Sequence, residues 1–169
     1  MPEFTFLEIL KKEHFLIERA LRTMTLLIVK DQYLEREFQL VYQIIKDFVE
    51  DNHCAKEEEI LFPLIREYEI DAQLVMVNES EKRKEIIETL EKGLKDLDKE
   101  KFLVGLQDFI EIFARHIFKE EGLIFPACEA LLPSDINEKI VKDFKEYERD
   151  NRDYDYFLKI VEDLEKIIF

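Results

Sequence analysis

One eleven-residue pattern occurs twice in this chain and restricts how it can fold. The first copy is His53-Cys54-Ala55-Lys56-Glu57-Glu58-Glu59-Ile60-Leu61-Phe62-Pro63. The second is His116-Ile117-Phe118-Lys119-Glu120-Glu121-Gly122-Leu123-Ile124-Phe125-Pro126. Both read H-x-x-K-E-E-x-[IL]-x-F-P, and in each a histidine stands four residues before a glutamate. On a helix that spacing is one turn, about 6 Å of rise, so imidazole and carboxylate leave the same face. One neutral nitrogen donor and one anionic oxygen donor a turn apart form half of a transition-metal site. Two such halves can face each other across a helical bundle, as in carboxylate di-metal proteins.

Composition agrees with helices. The chain has 169 residues, enough for one domain with a proper core. It holds 3 Gly and 4 Pro, and 38% of it is charged, which suits a bundle and is poor in turn residues for an all-β fold. A net charge of −15 argues against nucleic acid and anionic membrane surfaces as partners. No signal peptide and no membrane-length apolar run is visible, so a soluble cytoplasmic protein is expected. Cys54 and Cys128 stand at unrelated positions and make no disulfide framework.

Taken in order, helix 1 is expected to begin at Thr5, which forms a T-x-x-E capping box with Glu8. Its apolar stripe runs Leu7, Leu10, His14, Ile17, Leu21, Ile28. Asp31-Gln32 reads as a turn. Helix 2 carries Phe38, Val41, Ile45, Val49, His53, Glu57 and Ile60 along one side and should stop at Pro63 or within a turn of it. Helix 3 should start after Asp71 as N-cap and continue to about Leu97. Its eight polar residues from Asn78 to Glu85 are either a solvated stretch or an interior made polar by an ion. Helix 4 is expected from about Asp98 to Leu131. Leu132-Pro133-Ser134 then breaks the chain, and Ser134 can cap a fifth helix. The rest reads as one or two amphipathic helices with a kink near Asp150-Asn151, serving packing, capping or an oligomer surface.

A lone histidine on an apolar face is usually a satisfied core residue, and single H-x-x-x-E spacings are common. The duplication changes that weighting. The chain has three histidines, two in the repeated pattern and one, His14, inside the stripe of helix 1. A four-helix bundle with short connections brings these inward positions to a similar depth, so a metal site is expected.

The two repeated segments, with Glu13-His14 in helix 1, resemble the hemerythrin-like (HHE cation-binding) domain family from about Phe4 to Leu132. The resemblance implies an all-α, up-down-up-down four-helix bundle over residues 1–132. Residues 133–169 are then a C-terminal extension of one or two helices packed on it. It further implies a non-haem di-iron centre, with His14, His53 and His116 as terminal metal ligands and Glu57 and Glu120 as bridges. Two iron ions are expected, and manganese or zinc is compatible with the same donors.

Two positions depart from the family pattern. Members commonly carry a histidine on helix 3 within E-H-[DE]-x-G-R, where this chain has Glu79-Ser80-Glu81-Lys82-Arg83-Lys84 and Ser80 takes the histidine position. Many also have a second histidine in helix 2, where Cys54 stands. A site poorer in nitrogen argues against reversible oxygen carriage. Ser80 itself is a weak neutral donor. Helical projection puts Glu79 nearer the apolar centre than Glu81, so Glu79 is the better candidate for the missing donor, with Glu81, water or a small exogenous ligand as alternatives. Cys54 is expected as a small buried neighbour of the site. Glu58 and Glu121 should be solvated or behind the ligands, and Lys56 and Lys119 at the surface. The expected function is binding or reaction with a small ligand such as O₂, NO or peroxide. The alternatives are an iron or oxygen sensor, an iron store, or a structural bundle with a zinc-filled or degenerate site. Nothing in the sequence names a substrate or an oligomeric state.

Overall fold

Thr5 opens the first helix as its capping pattern predicts. Its hydroxyl accepts a hydrogen bond from the Glu8 N–H at 3.1 Å, and helix α1 follows as Phe6–Lys30. The computed structural model describes residues 5–30, 35–149 and 152–169, so the turn expected at Asp31-Gln32 and the kink expected near Asp150-Asn151 lie outside the described residues. Among those described there is no strand, and no helix is long and apolar enough to cross a membrane. Helix α2 covers residues 35–66, α3 is the short Ala72–Val75, α4 is Glu79–Lys95 and α5 covers residues 99–131. Helices α6, Ile136–Arg149, and α7, Tyr154–Ile168, complete the chain.

Both copies of the repeated pattern unwind at the same place. Glu57–Leu61 in α2 and Glu120–Ile124 in α5 are wound as π-helix, as is Ile44–Cys54 earlier in α2. In each copy the phenylalanine N–H reaches back five residues to the motif glutamate, Phe62 to Glu57 and Phe125 to Glu120. The proline that follows has no N–H to give, and its ring would collide with the carbonyl four residues back in a regular helix. Widening the preceding turn relieves both problems, so the helices continue past Pro63 and Pro126. Helix α2 stops one turn later, at Arg66.

The single helix expected over Asp71 to Leu97 is corrected to two pieces. Asp71 does cap, accepting from the Leu74 N–H at 3.1 Å, but α3 is four residues long. Asn78 then takes a left-handed conformation at φ 59°, which asparagine tolerates better than most residues, and α4 starts afresh at Glu79. Helix α4 ends in a Schellman motif: Leu97 is left-handed at φ 52° and the Asp98 N–H bonds the Gly93 carbonyl at 2.8 Å. Asp98 caps α5 by accepting from the Lys101 N–H at 3.1 Å. The hairpin is tight, since a Cβ on Gly93 would stand 2.8 Å from the Phe102 backbone nitrogen. Leu97 is 74% exposed, so its side chain contributes little packing to offset a left-handed backbone. Leu97→Gly should therefore raise stability by about 0.5–1 kcal/mol, read as a higher denaturant midpoint at unchanged slope.

The interior divides into two apolar clusters. One gathers Leu16, Ile17, Val49, Ile87, Phe113 and Ile117, among others; the second gathers Leu10, Leu61, Met76, Ile124 and Phe125, among others. Between them every long helix except the C-terminal pair buries charge or imidazole: Glu13 and His14 in α1, His53, Lys56 and Glu57 in α2, Glu79 and Arg83 in α4, His116 and Glu120 in α5. Within the polar run of α4, Glu79 and Arg83 point inward, while Asn78, Glu81, Lys82, Lys84 and Glu85 are exposed. Helix α7 adds Phe157, Ile160, Val161 and Leu164 to the first cluster, and α6 adds Ile140, Val141 and Phe144 to the second. Arg19 fixes α7 to α1 through two bonds to Glu165, at 2.6 and 3.2 Å.

Candidate metal centre

Five buried side chains from three helices meet in the polar layer. Ligand atoms of His14, His53, Glu57, His116 and Glu120 all lie within 4.8 Å of one another. These are the five residues expected from spacing and resemblance. Glu57 Oε1 stands 3.3 Å from His53 Nε2 and 3.1 Å from His116 Nε2. Glu120 Oε1 stands 3.1 Å from His14 Nε2, 2.6 Å from His116 Nε2 and 3.8 Å from His53 Nε2. Each carboxylate thus lies between imidazoles of different helices. The rings are seated by aromatic residues: His116 stacks on Phe113 at 4.4 Å and His14 on Phe125 at 5.5 Å between centroids. Phe125 is the motif phenylalanine, so the F-P of the second copy also packs the histidine of α1.

The far side of every ring is held by a carboxylate. His53 Nδ1 is 2.8 Å from Glu13 Oε1, His14 Nδ1 is 3.2 Å from Glu121 Oε1, and His116 Nδ1 bonds Glu79 Oε1. A carboxylate accepts, so each Nδ1–H donates outward, an arrangement that would leave the Nε2 lone pairs to a bound cation. Glu79, expected as a replacement ligand, is corrected: it fixes His116 and takes a second bond from Arg83 Nη1 at 3.0 Å. Glu121 stands behind His14, while Glu58 bonds Arg83 Nη2 at 2.5 Å rather than a histidine. Lys56, expected at the surface, is fully buried and lies 2.5 Å from Glu13 and 2.6 Å from Glu148. An unpaired ammonium costs several kcal/mol inside a protein, and these two carboxylates make its burial tolerable. Glu13 and Arg83 went unassigned, although both sit in the inward register: Glu13 between Leu10 and Ile17, Arg83 four residues before Ile87.

Among the described residues, His53 Nε2, Glu57 Oε2 and Glu120 Oε2 are buried with no hydrogen-bond partner. Buried polar atoms are rarely left so, and three orphaned donors in one layer fit a cation. The model of the hemerythrin HHE cation-binding domain matches residues 5–128. The chain belongs to that family. No curated protein and no solved structure matches it. The HHE domain binds metal ions, and the donors present here, three imidazole nitrogens and two carboxylates, fit such an ion. The match ends before α6, so α6 and α7 lie beyond the HHE segment.

The charges of this HHE site answer one another. Burial and the facing Glu120 push the Glu57 carboxyl up to about 8. Burial would raise Glu120 as well, but the His116 beside it holds it well below the usual carboxylate range. Burial lowers His53, yet Glu57, Glu120 and Glu13 together carry it up to about 9. Burial opposes the charge on Glu79 too, and His116 and Arg83 keep it low, which preserves it as an acceptor.

Of the two departures from the HHE pattern, Ser80 lies on the side of His116. A cavity of about 340 Å³ opens there, lined by Glu58, Phe62, Glu79, Ser80, Arg83 and His116 among others. Ser80 is half-buried at its wall, its hydroxyl donating to Glu58 Oε2 at 3.4 Å, and it does not join the cluster. Cys54 is buried and free, and burial pushes its thiol well up, so it stays a neutral neighbour as expected.

Proposed function

We propose that this HHE domain holds two iron ions, with His14, His53 and His116 as terminal donors and Glu57 and Glu120 as bridges. The observation that carries this is the placement of the two glutamates. Each sets one oxygen between imidazoles of different helices and keeps the other buried without a partner. A carboxylate that bridges would offer one oxygen to each ion, so two glutamates that each present a second, unpartnered oxygen to the same layer suit a pair of ions. Iron held in this way supplies a redox-active centre that binds or reduces a small ligand such as O₂, NO or peroxide.

The protein's own part is placement and access. Glu13, Glu79 and Glu121 set the imidazole tautomers, and the two apolar clusters keep water from the flanks. The His14 and His53 rings are 4.9 Å apart, while His116 stands 6.2 and 5.9 Å from them, on the side of the cavity. His116 thus stands apart from the other two rings and beside the cavity, so a small ligand would approach on the His116 side. We further propose an up-down-up-down bundle over residues 1–132, with 133–169 as an extension packed on it. The order of burial supports this: α1 and the run through α3 and α4 pass from the second apolar cluster to the first, and α2 and α5 pass the other way.

Protein produced with iron available should contain two irons per chain by elemental analysis. Its visible spectrum should change on adding azide or peroxide. One zinc per chain with no iron uptake would overturn the di-iron reading.

A further inference from the structure

We infer that helix α6 is a working part of the metal centre, with Glu148 positioning His53 through Lys56 and Glu13. This rests on the metal reading proposed above and extends it beyond residues 5–128 of the family match. Three charge-assisted hydrogen bonds form a continuous line. Glu148 Oε1 is 2.6 Å from Lys56 Nζ, Lys56 Nζ is 2.5 Å from Glu13 Oε2, and Glu13 Oε1 is 2.8 Å from His53 Nδ1. Lys56 is fully buried and Glu13 nearly so, while the Glu148 side chain is 26% exposed at the outer end. Glu13 therefore serves two cations with one oxygen each. Glu148 gives the Lys56 ammonium a second carboxylate, so Lys56 does not draw Glu13 away from the imidazole. Phe144, one turn before Glu148, lies under the same ammonium, its ring centroid 5.4 Å from Nζ.

Two neighbouring contacts fix the same segment. Tyr147 donates its hydroxyl to the Asp51 carbonyl at 2.6 Å, and Asn52 Nδ2 donates to the Arg152 carbonyl at 3.0 Å. Asp51 and Asn52 belong to the π-helical stretch Ile44–Cys54 that delivers His53. Both contacts hold that stretch just before the histidine, Tyr147 from α6 and the Arg152 carbonyl from the residues that follow α6, while Glu148 reaches Lys56 just after it. Glu148 touches no donor of the centre. It is a positioning residue.

The test uses the full-length chain with Glu148→Gln, which keeps shape, Glu148→Asp, which keeps charge, and Glu146→Gln, an exposed control on the same helix. Two quantities are read: Fe(II) affinity by anaerobic titration, and the ¹⁵N resonances of the His53 ring in metal-free protein. Glu148→Gln should weaken Fe(II) binding about 3- to 10-fold, less than loss of a group bonded directly to a ligand, and shift the His53 nitrogens. Glu148→Asp should lie closer to the native protein on both readouts, and Glu146→Gln should match it. A role in packing alone would make the glutamine variant the milder one, and that order overturns the inference. So does a Glu148→Gln protein with native affinity and unshifted His53 resonances. Should the native chain take up no iron, the di-iron reading fails by itself, while the metal-free His53 resonances still decide whether Glu148 positions the ring.

Discussion

Replacing Glu120 by alanine should empty the centre of metal, and Glu57→Ala should do the same. Glu120 Oε1 lies within 3.8 Å of all three imidazole Nε2 atoms, so no other side chain is so central. Glu57 stands between His53 and His116 and is the second anionic donor of the cluster. Losing either removes a proposed bridge and leaves imidazoles in an apolar interior with one carboxylate. Metal per chain should fall below detection. The neighbouring glutamates grade below this. Glu121→Ala should cost about 10-fold in affinity, because Glu121 holds His14 Nδ1 from outside. Glu58→Ala should cost least, since its partner Arg83 keeps Glu50 and Glu79. Elemental analysis of all four variants, with thermal unfolding to establish folding, checks the order. Equal metal loss in the four would mean that the two motif glutamates do not face the centre as drawn.

The inward donors were legible because four-residue spacing on a helix fixes a shared face whatever the helix packs against. The same argument placed His14 in the stripe of α1 and brought the three histidines to one depth. It does not say which atom a buried carboxylate meets. Helical projection put Glu79 inward correctly, but its oxygen goes to the outer nitrogen of His116 rather than to the centre. Lys56 was misread for a different reason. Lysine is almost always exposed unless paired, and one of its two partners, Glu148, lies 92 residues further along the chain. A local pattern cannot supply such a partner. The break at Asn78 was hidden too, since asparagine inside a polar run signals a left-handed turn no more than a helix surface. The π turns were half visible: two prolines at matching places demand an adjustment, though not whether the helix ends or widens.

Placing a histidine at position 80 should even out the two halves of the centre. The HHE pattern has imidazole there, and this chain has a serine whose hydroxyl reaches only Glu58. Ser80 shares the wall of a cavity of about 340 Å³ with His116, so an added ring has room without displacing a core side chain. With Ser80→His, a fourth imidazole would approach from α4 on the side now served by His116 alone. On the di-iron reading, the native protein should load two ions unequally, with the second held more weakly. The variant should tighten that second step by about 10-fold or more, as expected for one added donor. The ring would also fill part of the cavity, so azide and peroxide should bind more slowly and more weakly than in the native protein. Overpacking against Arg83 and Glu58 would appear as a lower unfolding midpoint in the metal-free variant, about 1–3 kcal/mol, and is separable from the metal readouts. A metal titration of both proteins beside azide difference spectra tests the pair of effects. Unchanged stoichiometry, affinity and azide binding in a folded Ser80→His protein would mean that position 80 does not face the centre. The small ligand would then reach it from elsewhere than the cavity beside His116.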